Sequence, residues 1–97
     1  MIEDNLRNSR FKALADENRV AILRRLYQEP LTVNELCTSL SLEQSLVSHH
    51  LKVLKENRLV KGQREGKSIR YQLAPGLKGS EQELVLELEC CRILLRS

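Results

Sequence analysis

The chain has 97 residues and a formal net charge of +3, with 41% hydrophobic, 30% charged and 3% aromatic residues. A chain of this length forms one small domain that buries only about two-thirds of its unfolded surface, so we expect an oligomer. No apolar run approaches the roughly 20 residues of a membrane span, and the polar N-terminus is unlike a signal peptide. We therefore expect a cytoplasmic protein with no membrane partner.

Charge is distributed unevenly along the chain. Between Gln44 and Gln72, seven Lys and Arg residues stand against two Glu residues, a surplus of five positive charges. From Glu81 to Ser97, four Glu residues outnumber two Arg residues. The basic middle predicts contact with a polyanion, and the acidic tail predicts a different role; the alternative is a charged surface that faces only solvent.

The first helices are predicted from caps and apolar spacing. Leu6, Phe11 and Leu14 give a first helix an apolar side. Asp16 is an N-cap residue, and the helix that follows it is expected to stop at Pro30, which cannot continue a helix.

Two capping boxes, "TVNE" from Thr32 and "SLEQ" from Ser41, begin the next two helices. They predict a short helix from Thr32 to about Leu40 and a longer one from Ser41 to about Glu56. Asn57 is expected to take the left-handed conformation that ends the longer helix.

The longer helix has two chemically different sides. At 100° per residue, one side is apolar. That side contains Leu46, Val47, His50, Leu51, Val53 and Leu54. The other side is polar and contains Gln44, Ser45, Ser48, His49, Lys52 and Lys55. His50 is therefore expected to be a packed core histidine, whereas the polar side is free to touch a partner.

A β-hairpin is predicted in "RLVKGQREGKSIRYQL", because Ile69, Tyr71 and Leu73 alternate with polar residues and Gly66 supplies the turn. Two helices joined by a tight turn, followed by a basic hairpin, form a winged helix-turn-helix. Its second helix fits the major groove of DNA, where Gln and Ser reach base edges and Lys reaches phosphate.

The chain resembles the ArsR/SmtB family of winged helix-turn-helix repressors from about Phe11 to Leu73. The segments that carry the resemblance are "FKALADENRVAILRRL", "TVNELC", "QSLVSHHLKVLKENRLV" and "REGKSIRYQL". The resemblance implies a mainly α fold with a β-hairpin wing, in a homodimer that binds an inverted-repeat operator in double-stranded DNA. It also implies release by an inducer such as a metal ion, a metalloid or a reactive sulfur species.

The resemblance assigns roles to individual residues. Gln44, Ser45, Ser48 and His49 would face bases, and Lys52 would lie near phosphate, with Lys55 on the same side. Arg64, Lys67 and Arg70 would act from the wing. The expected organisation is one domain over residues 1–97, with a dimerisation helix over 1–15, the helix-turn-helix over 32–56, the wing over 59–73 and a dimerisation and sensor tail over 80–97.

The candidate inducer ligands are the three cysteines, Cys37, Cys90 and Cys91, whose odd number does not suggest a disulfide framework. Some arsenite and cadmium sensors of the family carry "ELCVC", whereas this chain has "ELCTS", so Ser39 replaces the second thiol. The adjacent pair Cys90 and Cys91 supplies two soft ligands, which suits arsenite or another thiophilic ion. No cofactor is required. The alternative for all three is a small apolar residue in the core or in a dimer interface.

The tail is compatible with two conformations. A capping box from Ser80 and an apolar stripe through Leu84, Leu88 and Cys91 indicate a helix, while strict alternation from Glu83 to Cys90 indicates a strand. The helix is slightly favoured.

Two other functions stay open beside a metalloid-released repressor. One is a repressor that senses thiol oxidation or reactive sulfur; because two adjacent cysteines form a strained ring, a link to a distant cysteine is at least as plausible. The other is a winged-helix protein-interaction module that does not bind DNA. An enzyme is not expected, because the sequence has neither a Gly-rich phosphate loop nor a Cys–His–acid set with a cleft.

Overall fold

The computed structural model describes residues 10–75, together with the backbone of three further strands at 77–79, 83–87 and 92–96. Residues 10–13 are helical and precede helix α1. The helices are α1 (Glu17–Gln28), α2 (Val33–Leu40) and α3 (Gln44–Glu56). The strands are β1 (Leu31–Thr32), β2 (Val60–Glu65), β3 (Ser68–Leu73), β4 (Leu77–Gly79), β5 (Glu83–Glu87) and β6 (Arg92–Arg96).

Helix α1 begins where its cap was predicted. The Asp16 carboxylate accepts hydrogen bonds from the backbone N–H groups of Asn18, at 2.9 Å, and Arg19, at 3.1 Å. These two groups have no acceptor within the first helical turn, so the cap stabilises the helix start. The helix ends at Gln28, two residues before Pro30.

Helix α2 begins with the predicted capping box. The Thr32 hydroxyl accepts from the Glu35 backbone N–H, and the Glu35 carboxylate accepts from the Thr32 backbone N–H at 2.9 Å. The second capping box was predicted wrongly. Ser41 has φ 55° and ψ 45° and ends α2, so it cannot take the extended conformation of an N-cap residue. Helix α3 instead begins after Glu43, whose side chain caps nothing.

The end of α3 also differs from its prediction. The left-handed residue is Arg58, at φ 59°, and not Asn57, at φ −93°. Asn57 is only 5% exposed, and its side chain and its carbonyl each take part in a hydrogen bond. Its side-chain amide donates to the Val53 carbonyl at 2.7 Å, and its carbonyl accepts from Arg10 Nε at 2.8 Å.

One apolar core joins the three helices to the wing. Each helix contributes the residues of one face, as the 3.6-residue period predicts. The fully enclosed members are Ile22, Leu23, Leu36, Val47, Leu51, Leu54 and Leu59. The buried face of α3 is therefore fixed against the rest of the domain, and the opposite face is directed outward.

The wing is an antiparallel sheet with strand order β1-β3-β2. Glu65 pairs with Ser68 at its tip, and Gly66 has φ +63°, a left-handed conformation that favours glycine. The hairpin and its glycine turn are confirmed. Tyr71 and Leu73 pack against the core, whereas Ile69 is 41% exposed.

The slight preference for a helical tail was wrong at residues 83–87, which form a strand. Strands β4, β5 and β6 make a second antiparallel sheet in that order. In the backbone register of β5 and β6, Glu83 pairs with Arg96 and Glu87 pairs with Arg92. Residues 1–9 of the predicted dimerisation helix, and Cys90 and Cys91, lie outside the described residues.

Candidate nucleic-acid interface

Helix α3 presents its polar side to solvent, as predicted. The exposed residues are Gln44, Ser45, Ser48, His49, Lys52 and Lys55. The opposite side is buried through Val47, His50, Leu51 and Leu54. The helix therefore offers amide, hydroxyl, imidazole and ammonium groups outside the core, next to small side chains that allow a close approach.

His50 attaches α3 to the start of α1, which confirms it as a core histidine. Its Nδ1 lies 3.4 Å from Arg19 Nη1, and its Nε2 lies 3.9 Å from the Asp16 carboxylate. Because a guanidinium nitrogen only donates, Nδ1 is the acceptor and Nε2 carries the proton of the neutral ring. Arg19 also donates from Nε to the Ala13 carbonyl at 2.8 Å.

Burial lowers the pKa of His50 below its ordinary value of 6.5. The Arg19 and His49 charges lower it further, and the Asp16 charge opposes them. For Asp16, burial raises the pKa, but hydrogen bonds from the Arg19 and Asn18 backbones and the charge of His50 outweigh it, so the pKa of Asp16 is lowered. Through Arg19 and Asp16, His50 links α3 to the start of α1.

The wing carries exposed cations on β2 and at its tip. Lys61 and Arg64 lie on β2, and Lys67 lies in the turn. Each of these side chains is exposed, so the predicted wing residues Arg64 and Lys67 are available to a polyanion.

A groove of about 360 Å³ separates the wing from the helix-turn-helix. One wall is formed by Gln44 and Ser48 of α3, and the other by residues 67–69 and Tyr71 of the wing. Thr32, Val33 and Asn34, at the start of α2, complete it. Thr32 and Asn34 were not predicted as site residues; the capping box at Thr32 was the available signal, because the first turn of a helix favours anions.

Arg70 occupies a different environment from the other predicted cations. Its Nε and Nη2 donate to the two Glu65 carboxylate oxygens at 2.9 and 3.3 Å. Its Nη1 donates to Glu35 Oε1 at 3.0 Å and to the Pro30 carbonyl at 3.3 Å. The hydrogen bond to Glu65 is the main reason that the pKa of Arg70 is raised. Its charge is therefore already offset by two carboxylates.

Cys37 is half-buried and packs against the apolar core beside Leu36. This environment matches the alternative in which Cys37 is a small apolar residue. Within the described part of the chain, no group of three or more His, Cys, Asp and Glu side chains is arranged to hold a metal ion. The predicted ligands Cys90 and Cys91 lie outside that part of the chain.

Comparison with known proteins places this fold among regulators. Residues 16–61 match the model of the family described as "Bacterial regulatory protein, arsR family". The chain is 35% identical over 82 residues to the arsenical resistance operon repressor of Escherichia coli, covering 84% of this chain and 70% of that protein. It is 46% identical over 65 residues to the transcriptional regulator NmtR of Mycobacterium tuberculosis, covering 67% of this chain. This match spans 54% of the length of NmtR, which is about half of that protein.

A solved structure has the same fold. It is the homodimeric winged helix-turn-helix DNA-binding domain of a possible ArsR-family regulator from Mycobacterium bovis. The match has a TM-score of 0.69 and 31% identity, and covers 72% of this chain and 65% of that one. The mainly α winged helix-turn-helix prediction is therefore confirmed. Among the helices that the structure describes, none has the length and apolar character of a membrane span.

Proposed function

Because the chain belongs to the arsR family of bacterial regulatory proteins, we propose that it binds double-stranded DNA and regulates transcription without enzymatic activity. The observation that carries the proposal is the outward polar side of α3, whose opposite side is buried in the core. An α-helix with its side chains is about 10–12 Å wide, and the major groove is about 12 Å wide, so this side of α3 fits the groove.

The contacts divide into base readout and phosphate binding. Gln44 offers an amide that can bind adenine through two hydrogen bonds, and Ser45, Ser48 and His49 offer single hydrogen bonds at close range. The exposed cations Lys52, Lys55, Arg64 and Lys67 bind phosphates and add affinity that does not depend on sequence.

An inverted-repeat operator requires two recognition helices, one for each half-site. In a homodimer, the two copies of α3 are these recognition helices. Half-sites about 34–36 Å apart place two such helices in successive major grooves on one side of the duplex. Phe11 is 42% exposed in the helical residues before α1, and a partner subunit that packs on this segment would cover it. The M. bovis homodimer supports the same assembly.

The regulator acts as a repressor in the cytoplasm, and a thiophilic inducer releases it, with arsenite as the first candidate. The support is chemical: adjacent thiols at Cys90 and Cys91 chelate soft ions. The E. coli relative named for arsenical resistance agrees with this choice. Cys37 is the third candidate ligand.

A mobility-shift assay on the DNA upstream of its own gene tests DNA binding. We expect the wild type to shift this duplex at low ionic strength and to prefer it over an unrelated duplex of equal length. Ser48→Glu places a carboxylate on the outward side of α3 and should abolish the shift, whereas Glu17→Gln, an exposed change at the start of α1, should leave it intact. A wild type that shifts neither duplex would favour the protein-interaction alternative.

The inducer is tested in the same assay with arsenite, cadmium, zinc and polysulfide added in turn. We expect arsenite to release the wild type, and the Cys90→Ser/Cys91→Ser variant to bind DNA but resist release. Cys37→Ser is the matched control and should still respond. Release only by polysulfide, reversed by a reductant, would establish the redox alternative; arsenite release of the double variant would move the sensor away from the tail.

A further inference from the structure

Arg70 connects the wing to the start of the helix-turn-helix. It lies on β3, its partner Glu65 ends β2, and its partner Glu35 lies in the first turn of α2. The same Glu35 oxygen that accepts from Arg70 also accepts from the Thr32 backbone N–H. One guanidinium therefore joins the wing tip, the α2 cap and the Pro30 carbonyl.

We propose that Arg70 is a positioning residue that holds the wing at its angle to the recognition helix, and that it does not contact DNA. The inference rests on the DNA-binding function proposed above. It replaces the role that the sequence suggested for Arg70, which was a contact from the wing to DNA.

The hydrogen bonds of Arg70 leave little capacity for phosphate. A guanidinium has five N–H groups. Arg70 makes four hydrogen bonds, to Glu65, Glu35 and Pro30. One N–H group is left, so a phosphate that paired with Arg70 through two hydrogen bonds would have to displace a carboxylate.

The position of Arg70 in β3 explains why its bonds matter for the groove. Its neighbours Ile69 and Tyr71 line the groove wall opposite Gln44 and Ser48. Alternate residues of a strand point to opposite faces, so Arg70 is directed away from that wall. Hydrogen bonds from Arg70 to Glu35 therefore hold this groove wall in place from its opposite face. They thereby fix the distance between the wing and α3.

The net charge of the cluster formed by Arg70, Glu65 and Glu35 makes the inference testable, because an electrostatic role and a positioning role predict opposite changes in DNA affinity. One guanidinium and two carboxylates carry a net charge of −1, next to a surface that would bind a polyanion. By charge alone, removing either carboxylate must strengthen DNA binding. If the carboxylates hold the wing in place, removing one must weaken binding instead.

The experiment measures DNA affinity by fluorescence anisotropy for Glu65→Gln, Glu35→Gln, Arg70→Gln and Arg70→Lys. Each should bind the operator about fivefold more weakly than the wild type, the change in equilibrium constant expected for a lost exposed ion-pair network. Arg70→Lys keeps the charge but not the fork that reaches both carboxylates, so it should not rescue. Adding Glu65→Gln to Arg70→Gln should cause no further loss, because the two residues act through one contact.

Two controls separate positioning from other effects. The matched charge control is Glu56→Gln, an exposed change at the end of α3 that should bind as tightly as the wild type or more tightly. The dependence of affinity on salt should be the same for Arg70→Gln as for the wild type, whereas loss of a phosphate contact lowers the slope by about 0.9 per contact. Thermal unfolding checks that each variant is folded at the assay temperature; because the Glu65 and Glu35 side chains are exposed, we expect both substituted proteins to fold.

The outcomes are distinct. Equal or tighter DNA binding by Glu65→Gln and Glu35→Gln would overturn the positioning role and leave DNA binding intact. The same conclusion would follow if Arg70→Lys bound DNA as tightly as the wild type and Arg70→Gln had a reduced salt dependence of affinity. A wild type that binds no duplex at low salt would overturn the DNA-binding function itself and this inference with it.

Discussion

Replacing Lys67 by Gln tests the wing as an electrostatic contact. Each subunit presents four exposed candidate phosphate contacts, Lys52, Lys55, Arg64 and Lys67, so a dimer presents eight. At about 0.9 per neutralised phosphate, the logarithm of affinity should fall with the logarithm of salt at a slope of about −7 for the wild type and about −5 for Lys67→Gln. Between about 50 and 200 mM salt, the wild type should lose roughly 10⁴-fold in affinity and the variant roughly 10³-fold.

The assay is fluorescence anisotropy of a labelled duplex from upstream of the gene, titrated at several salt concentrations. Lys12→Gln is the control, because Lys12 is exposed in the segment before α1 and has no proposed phosphate contact. Sedimentation should show that both variants keep the oligomeric state of the wild type. A slope unchanged by Lys67→Gln, beside a steep wild-type slope, would show that the tip of the wing does not reach the backbone of DNA.

Three further predictions concern α3. Leu51→Ala should reduce the free energy of unfolding by about 2–5 kcal/mol, because Leu51 is enclosed in the core; a loss below about 1 kcal/mol in urea unfolding would contradict that packing. The wild type should lose stability as the pH falls below about 6.5, because the pKa of His50 is lowered in the folded state and the unfolded chain takes up the proton first. His50→Gln should flatten that loss in denaturant unfolding between about pH 7.5 and 5.5, whereas the lowered pKa of Asp16 contributes only below its ordinary value of 3.8; equal pH dependence in both proteins would contradict the assignment. Gln44→Ala should reduce discrimination at one base pair of each half-site by about 1–3 kcal/mol without changing the salt slope, measured by competition with substituted duplexes.

Features determined by neighbouring residues could be read from the sequence alone. The two sides of α3 follow from the 3.6-residue period, and every residue predicted to face outward is exposed. The Thr32 capping box and the Gly66 turn depend on groups within three residues of each other, and both are confirmed. Local hydrogen bonds and steric limits act within such short segments, so residue types and their spacing are enough to predict them.

Features that depend on distant contacts were decided only by the tertiary structure. Ser41 resembles an N-cap residue but ends the preceding helix, because the turn between α2 and α3 needs a left-handed residue there. In the tail, pairing of β5 with β4 and β6 selected a strand where local spacing also allowed a helix. Arg70 has the same charge as Lys67 but bonds to Glu35, 35 positions away in the chain. Residue type determines which bonds a side chain is able to make, and the fold determines which partners come within reach.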